Sequence, residues 1–472
     1  MTPRPLVALC GFTLLACAET PQAPPPLRVH VGSPVEAPDL APEAGVARFQ
    51  LTIAPHRHEV GGVVRDGFAY NGQFPGPTLR ATKGDHVEVS VRNTLATETT
   101  VHWHGLAVPN DMDGVSGPPI APGSTRTYRF SVERSGTFWY HPHLHEAEQI
   151  DAGLYGTFVV EEPREPLADV ELIAVLDAWN ETLTPEEPHV ASEIDLTPSL
   201  WLVNGAIEPT YLVAAGSRVR VRLLNASNVG YVALARATPA EPVSSKADEG
   251  HAHVPAPSVG SPLRLIASDQ GLLPAAVDIP ELVLAPGDRA ELEVLVGSDT
   301  IVLVRRPYTA AGGPTPSPAQ TLFTVTPVGS ANTPPALPWP FEGARPTANV
   351  APTVAVFALS GSTHGAQWLI NGATFPDVPP VVVPLGQVAV LEVRNVSGVH
   401  HPFHLHGMTF EVLRRNGVAP TWQTIEDTLD LPPREATHLL IRPTHPGDWL
   451  AHCHILPHVE GGMTAVLHVP PP

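Results

Sequence analysis

From about residue 46 onward, apolar and polar positions alternate in short runs separated by Gly, Pro and Asn. Three of the clearest runs are His86-Val87-Glu88-Val89-Ser90-Val91, Arg218-Val219-Arg220-Val221-Arg222-Leu223 and Val388-Ala389-Val390-Leu391-Glu392-Val393. A period of two sends successive side chains to opposite faces, so each run predicts a strand that buries one face. Many such strands with frequent turn residues predict an all-β chain of stacked sandwiches, with long helices nearly excluded.

The three runs are also copies of one another. Each follows a glycine turn (Lys83-Gly84-Asp85, Ala215-Gly216-Ser217, Leu385-Gly386-Gln387) and each leads into an asparagine (Asn93, Asn225, Asn395). Upstream of each stands an Asn-Gly pair: Asn71-Gly72, Asn204-Gly205 and Asn371-Gly372. A threefold repeat predicts three like domains, over residues 45–163, 164–329 and 338–472. The breaks fall at Glu161-Glu162-Pro163 and in the Pro-rich stretch from Thr333 to Pro346. Residues 238–262 and 310–318 read as long loops.

Composition narrows the setting. A chain of 472 residues exceeds one ordinary core. Its formal charge of −20 excludes a nucleic-acid partner, which would need a basic patch. The 56 prolines suit turns and sheet edges. There are three cysteines, Cys10, Cys17 and Cys453. The first two lie in an N-terminal segment with Arg4 followed by an apolar run, which reads as an export signal over residues 1–16. Its end, Leu14-Leu15-Ala16-Cys17, resembles a bacterial lipobox, so a lipoprotein anchored at Cys17 in the periplasm or cell envelope is expected, with possible attachment to a membrane. Residues 17–44, rich in Pro and Ala, read as a tether. No twin arginine precedes the apolar run, so export unfolded and metal loading outside the cytoplasm are expected. The oligomeric expectation is a monomer. Cys453 then has no disulfide partner, and a lone exported cysteine points to a metal.

The histidines carry the chemistry. For 23 His, composition predicts about one His-x-His pair, and seven occur. Four sit in strand-like sequence: His102-Trp103-His104, His141-Pro142-His143, His404-Leu405-His406 and His452-Cys453-His454. On a strand, residues i and i+2 share a face, so each pair aims two imidazoles one way. Convergence of four pairs would offer eight imidazoles, a set that suits copper, iron, nickel or zinc. Cys453 narrows the choice. Lying between His452 and His454, its sulfur must point to the opposite face, into a neighbouring site. His401, His458 and Met463 are within reach in sequence, and two His, one Cys and a weak axial Met make a blue-copper centre. The other pairs, His56/His58 and His251/His253, read as solvated loop residues, and His145 and His400 as non-ligands.

The motifs His102-Trp103-His104-Gly105, His141-Pro142-His143, His401-Pro402-Phe403-His404-Leu405-His406-Gly407 and His452-Cys453-His454-Ile455-Leu456-Pro457-His458 through Met463 resemble the four signatures of the three-domain multicopper oxidases. This family includes laccases, bacterial spore-coat oxidases, cuprous oxidases and bilirubin oxidases. The resemblance spans the mature chain, including a copperless middle domain with Asp269-Gln270-Gly271 and Leu284-Ala285-Pro286-Gly287. It implies three cupredoxin-like Greek-key β-sandwich domains and four copper ions, one type 1, one type 2 and two type 3. By motif, His401, Cys453, His458 and Met463 would hold the type 1 copper, and His102 and His404 the type 2 copper. His104, His141, His143, His406, His452 and His454 would hold the type 3 pair, with the trinuclear cluster between the first and third domains.

The implied reaction couples one-electron oxidation of a small-molecule reductant to four-electron reduction of O2 to water, which consumes protons. Asp113, eleven residues after His102, is the expected relay near type 2 copper. Glu460 is the second candidate, one residue later than the glutamate that several bacterial relatives carry directly after the second type 1 histidine. Electrons are expected to enter at an exposed edge of His458. With four methionines in all, the chain lacks the Met-rich segment usual in cuprous oxidases, so phenols and aromatic amines are the expected substrates. Oxidation of metal ions is the alternative, and a non-catalytic copper or electron carrier a more distant one.

Overall fold

The computed structural model describes residues 29–30, 32–41, 43–162, 168–179, 200–237, 260–308, 319–337, 353–362 and 367–472. The export segment with Cys10 and Cys17, the loop 310–318 and His251/His253 lie outside the described residues. Among the described residues, strands sort into six sheets, two in each of three successive stretches of chain, with Val29–His30 joining a sheet of the middle stretch. In the first, Val63–Tyr70, Val46–Val60, His86–Asn93 and Thr125–Ser131 pack on Gly76–Thr82, Gly156–Glu161, Gly136–His141 and His102–His104 around one apolar core. The third repeats this plan around a core that contains Phe403, Trp449, Cys453 and Met463.

The sequence repeat is a repeat of local structure. In each unit the run singled out above pairs parallel to an earlier strand: Val46–Val60 with His86–Asn93, Val170–Trp179 with Arg218–Asn225, Thr353–Ser362 with Ala389–Asn395. The closing asparagine is buried each time, and its amide donates to two carbonyls. Asn93 Nδ2 reaches Thr97 and Ile120, Asn225 Nδ2 reaches Gly230 and Leu284, and Asn395 Nδ2 reaches Val399 and Leu431. Each Asn-Gly asparagine adopts a left-handed backbone, with φ of 54°, 54° and 53°, at which Asn is tolerated.

Two expectations are corrected. Arg218–Asn225 is buried on both faces rather than one. Arg220 and Arg222 point not to solvent but into ion pairs with Glu171 and Glu291, and Glu291 accepts from Thr137 of the first sandwich at 2.7 Å. The described part of the tether is docked rather than loose. Val29–His30 adds a parallel strand beside Val170, Ala37 donates its N–H to Thr78, and Glu36 pairs with Arg80. Backbone pairing and a half-buried ion pair hold a Pro/Ala stretch that composition reads as free.

Candidate metal centre

Strand register brings the four histidine pairs together. His102–His104 pairs with Gly136–His141, placing His102 opposite His141. In the third sandwich His401–Leu405 pairs with Gly447–Cys453, placing His404 opposite His452. The two edges face each other, and their imidazoles interleave: His104 stacks on His404 at 3.8 Å between centroids, and His102 on His406 at 4.0 Å. Only the first pair lies wholly within a strand. His143, His406 and His454 fall just past strand ends, so the chain turns there and face-sharing along a strand does not place the second imidazole. Convergence still results, with ring centroids 4.9 to 6.3 Å apart within the pairs.

Hydrogen bonding orients the rings. The Nδ1 of His102, His141, His404 and His452 each lies 2.8 to 2.9 Å from a backbone carbonyl, of Asp113, Pro142, Asp427 and Cys453 respectively. His406 Nδ1 donates to Asp113 Oδ2 at 2.9 Å. The opposite Nε2 atoms of His102, His141, His143 and His404 are buried without a hydrogen-bond partner among the described residues, while those of His406 and His452 meet at 3.0 Å. Buried bare nitrogens are costly unless a ligand takes them, and a metal's histidine ligands characteristically tie their second nitrogen to carbonyl or carboxylate. Donor groups such as His102, His404 and His406, or His143, His406 and His452, have ligand atoms within 4.8 Å of one another and could each hold a metal ion.

Alternation separates the second site. Cys453 lies opposite Phe403 and shares a face with His401, away from His404 and His452. Its Sγ is 3.5 Å from His401 Nδ1 and 3.4 Å from His458 Nδ1, and these nitrogens are 3.2 Å apart. Met463 is fully buried beside them, its carbonyl accepting the N–H of Cys453.

The electrostatics suit cations. Burial, followed by mutual repulsion of neighbouring imidazoles, holds His141, His406, His452, His454 and His458 well below the usual histidine range, and takes His143 and His401 to about 3. Neutral imidazoles keep their lone pairs. Burial pushes the Cys453 thiol up, and a metal cation reverses that by binding the thiolate. Burial works against the charge of Asp113, but His406 and His102 outweigh it and hold its carboxyl well below the carboxylate range.

Several placements differ from expectation. His458 presents no exposed edge: it is 1% exposed and Trp368 stacks on it at 3.6 Å. A short helix, Leu456–Glu460, carries it inward. The same helix leaves Glu460 exposed. The buried glutamate is instead Glu146, 3.5 Å from His141 Nδ1 and 3.6 Å from His143 Nδ1, which burial and Glu460 push up to about 8. His58 is not a solvated loop residue: it lies in the strand Val46–Val60, buried against Phe74, and bonds Ala152 O at 2.9 Å. His145 is exposed, and His400 pairs with Asp430 at 2.8 Å. Sequence reasoning also missed Asp427 and Thr428, each 3.0 Å from His104 Nε2. A lone Asp-Thr carries no spacing signal, and only register sets Thr428 opposite His404.

Comparison with known proteins settles the family. Models described as multicopper oxidase match residues 52–165 and 348–472. The multicopper oxidase MmcO of Mycobacterium tuberculosis is 31% identical, covering 97% of this chain and 94% of that protein. The chain belongs to the multicopper oxidases. A solved multicopper oxidase from Pseudomonas thermotolerans, 30% identical, covers 90% of this oxidase and 100% of its own chain with a TM-score of 0.75. One from Campylobacter jejuni described as a metallo-oxidase superposes with a TM-score of 0.79 over 94% and 96% of the two chains, at 24% identity, and bears on the fold alone. The fold is therefore all-β and cupredoxin-like. Copper is the cofactor of the oxidase, and a reducing substrate and dioxygen are its reactants.

Proposed function

We propose that this oxidase is laccase-like, taking electrons singly from phenols or aromatic amines and reducing O2 to water at a four-copper site. In this reading His401, Cys453, His458 and Met463 hold type 1 copper, and His102 and His404 hold type 2. His104, His141, His143, His406, His452 and His454 hold the type 3 pair. The carrying observation is that Cys453 joins two donor clusters: its sulfur sits with His401 and His458, while its chain neighbours His452 and His454 belong to the histidine cluster. Bound copper would supply one-electron redox chemistry at the sulfur site and O2 reduction at the cluster.

The protein's own part is to orient, exclude water and handle protons. Asp113, between His102 and His406, fixes both rings and is the proposed relay, with Glu460 at the solvent side of the His458 helix as the second candidate. Beyond the initiator, Met408 and Met463 are buried and Met112 packs on the first core, which favours an organic reductant over captured Cu(I). Lipidation at Cys17, an envelope location and a monomeric state complete the proposal; mass spectrometry of the mature N-terminal peptide tests the anchor, and an unmodified Cys17 overturns it.

The functional test is copper content and visible absorption of reconstituted protein, with oxygen uptake on a phenol and on Cu(I). About four coppers per chain, an intense blue band, and faster uptake on the phenol without peroxide are expected. Faster uptake on Cu(I) would make it a metal oxidase, and one copper without uptake an electron carrier.

A further inference from the structure

The middle sandwich supplies none of the donor atoms, yet its turn at residues 284–289 reaches the histidine cluster at two points. Gly287, with φ +88°, lies against His454: a Cβ there would stand 3.0 Å from the imidazole carbons. Two residues on, Arg289 is fully buried. Its Nη1 donates to Asp427 Oδ1 at 2.8 Å and its Nη2 to Asp427 Oδ2, while Nη1 also meets Asp269 Oδ1 at 3.2 Å and Nε donates to Thr137 O at 3.0 Å. Gln270 Nε2 donates to Asp427 Oδ2 at 2.6 Å. Asp427 is thus held by two residues of the middle domain, and its Oδ1 lies 3.0 Å from His104 Nε2.

Among the cluster imidazoles that hydrogen-bond to a carbonyl, carboxylate or hydroxyl, His104 is reversed. In His102, His141, His404, His406 and His452 the nitrogen tied to protein is Nδ1. In His104 it is Nε2 that is tied, to Asp427 and Thr428, while Nδ1 is buried without a hydrogen-bond partner among the described residues. A neutral imidazole carries one N–H, so the acceptor holding that proton decides which nitrogen stays free for a metal.

We propose that Arg289 is a positioning residue of the trinuclear site: its two-pronged grip orients the Asp427 carboxylate, which keeps the His104 proton on Nε2 and presents Nδ1 to copper. The middle domain, without donors of its own, is then a working part of the copper site. The inference rests on the four-copper reading above. A guanidinium suits the task because it bonds both carboxylate oxygens at once, which an ammonium cannot do in that geometry.

The test compares wild type, Arg289→Lys and Arg289→Met, each loaded with copper, by total copper, blue absorbance and the fraction of copper silent to electron paramagnetic resonance. Type 1 copper, whose proposed donors His401, Cys453, His458 and Met463 are not among the hydrogen-bond partners of Arg289, is the internal control, and Arg289→Lys keeps the buried charge should Arg289→Met fail to fold. Expected is an unchanged blue band in Arg289→Lys, with trinuclear copper bound about 10- to 100-fold more weakly and a smaller silent fraction; Arg289→Met, where folded, loses more. A silent fraction and copper affinity equal to wild type in Arg289→Lys, with only melting temperature lowered, would make Arg289 a structural ion pair and overturn the inference alone. A wild-type protein with no silent pair would overturn the four-copper reading and this inference with it.

Discussion

Strand His86–Asn93 of the first sandwich and strand Arg218–Asn225 of the middle one occupy the same place in the repeat. Both pair parallel to an earlier strand and both end in an asparagine whose amide ties two carbonyls. They differ in what covers the second face. In the first, polar residues stay at least partly open to water, whereas in the middle one Arg220 and Arg222 are buried among Glu171, Glu291 and Thr137. Alternation reports which residues share a face, and says nothing of whether that face meets solvent or another domain. The terminal units carry their ligand imidazoles in the opposite sheet, whereas the middle unit uses this strand for charges that reach the first sandwich at Thr137.

The comparison breaks most severely at Cys453, which the middle unit does not match. Cys453→Ser is expected to abolish the blue band and bring oxygen uptake to background, while leaving the histidine cluster able to bind copper; the buried hydroxyl costs about 1–3 kcal/mol of stability. Persisting blue colour would move the thiolate site elsewhere. Next comes Arg222→Met, which leaves Glu171 and Glu291 buried with fewer cationic partners. Removing one member of such a network costs about 3–5 kcal/mol, read by denaturant unfolding, with copper content of the folded protein unchanged. A loss below about 1 kcal/mol, the range of surface pairs, would show that the middle domain does not depend on these charges.

The smallest effect distinguishes structural from functional histidine pairs. His58 is held below its ordinary value, chiefly by burial. A depressed folded value means that the unfolded state binds the proton more readily. The contribution of His58 is therefore complete above about pH 6.5 and is lost as pH falls through that value toward the folded one. His58→Gln removes this slope, at most about 1.4 kcal/mol per pH unit, and leaves the blue spectrum intact. Equal pH slopes in the two proteins would show that His58 binds its proton as readily in the folded as in the unfolded chain.

Much of the centre was legible because its chemistry is short-range in sequence. The His-x-His spacing, a cysteine between two histidines and the threefold Asn signature are all local patterns, and they located the strands and donor candidates. Residues that act across the fold leave no such trace. Asp427 serves His104 from 323 positions away in the chain, Arg289 serves Asp427 from another domain, and Trp368, on the strand Gln367–Ile370, covers His458 on its short helix. The docked segment around Val29–His30 was unreadable for the same reason: its partners lie about the strand at Val170–Trp179.

By itself, then, the sequence determined an all-β chain of three repeats, a family and a set of candidate donors, because strand periodicity and ligand spacing are properties of neighbouring residues. Tertiary structure alone decided which nitrogen of each imidazole is bare, that His458 is buried, that Glu146 rather than Glu460 lies beside the cluster, and that a donor-free domain reaches into it. Those outcomes depend on register between strands and on the packing of one sandwich against another, where the free energy of burying a polar atom turns on partners that no local pattern can name.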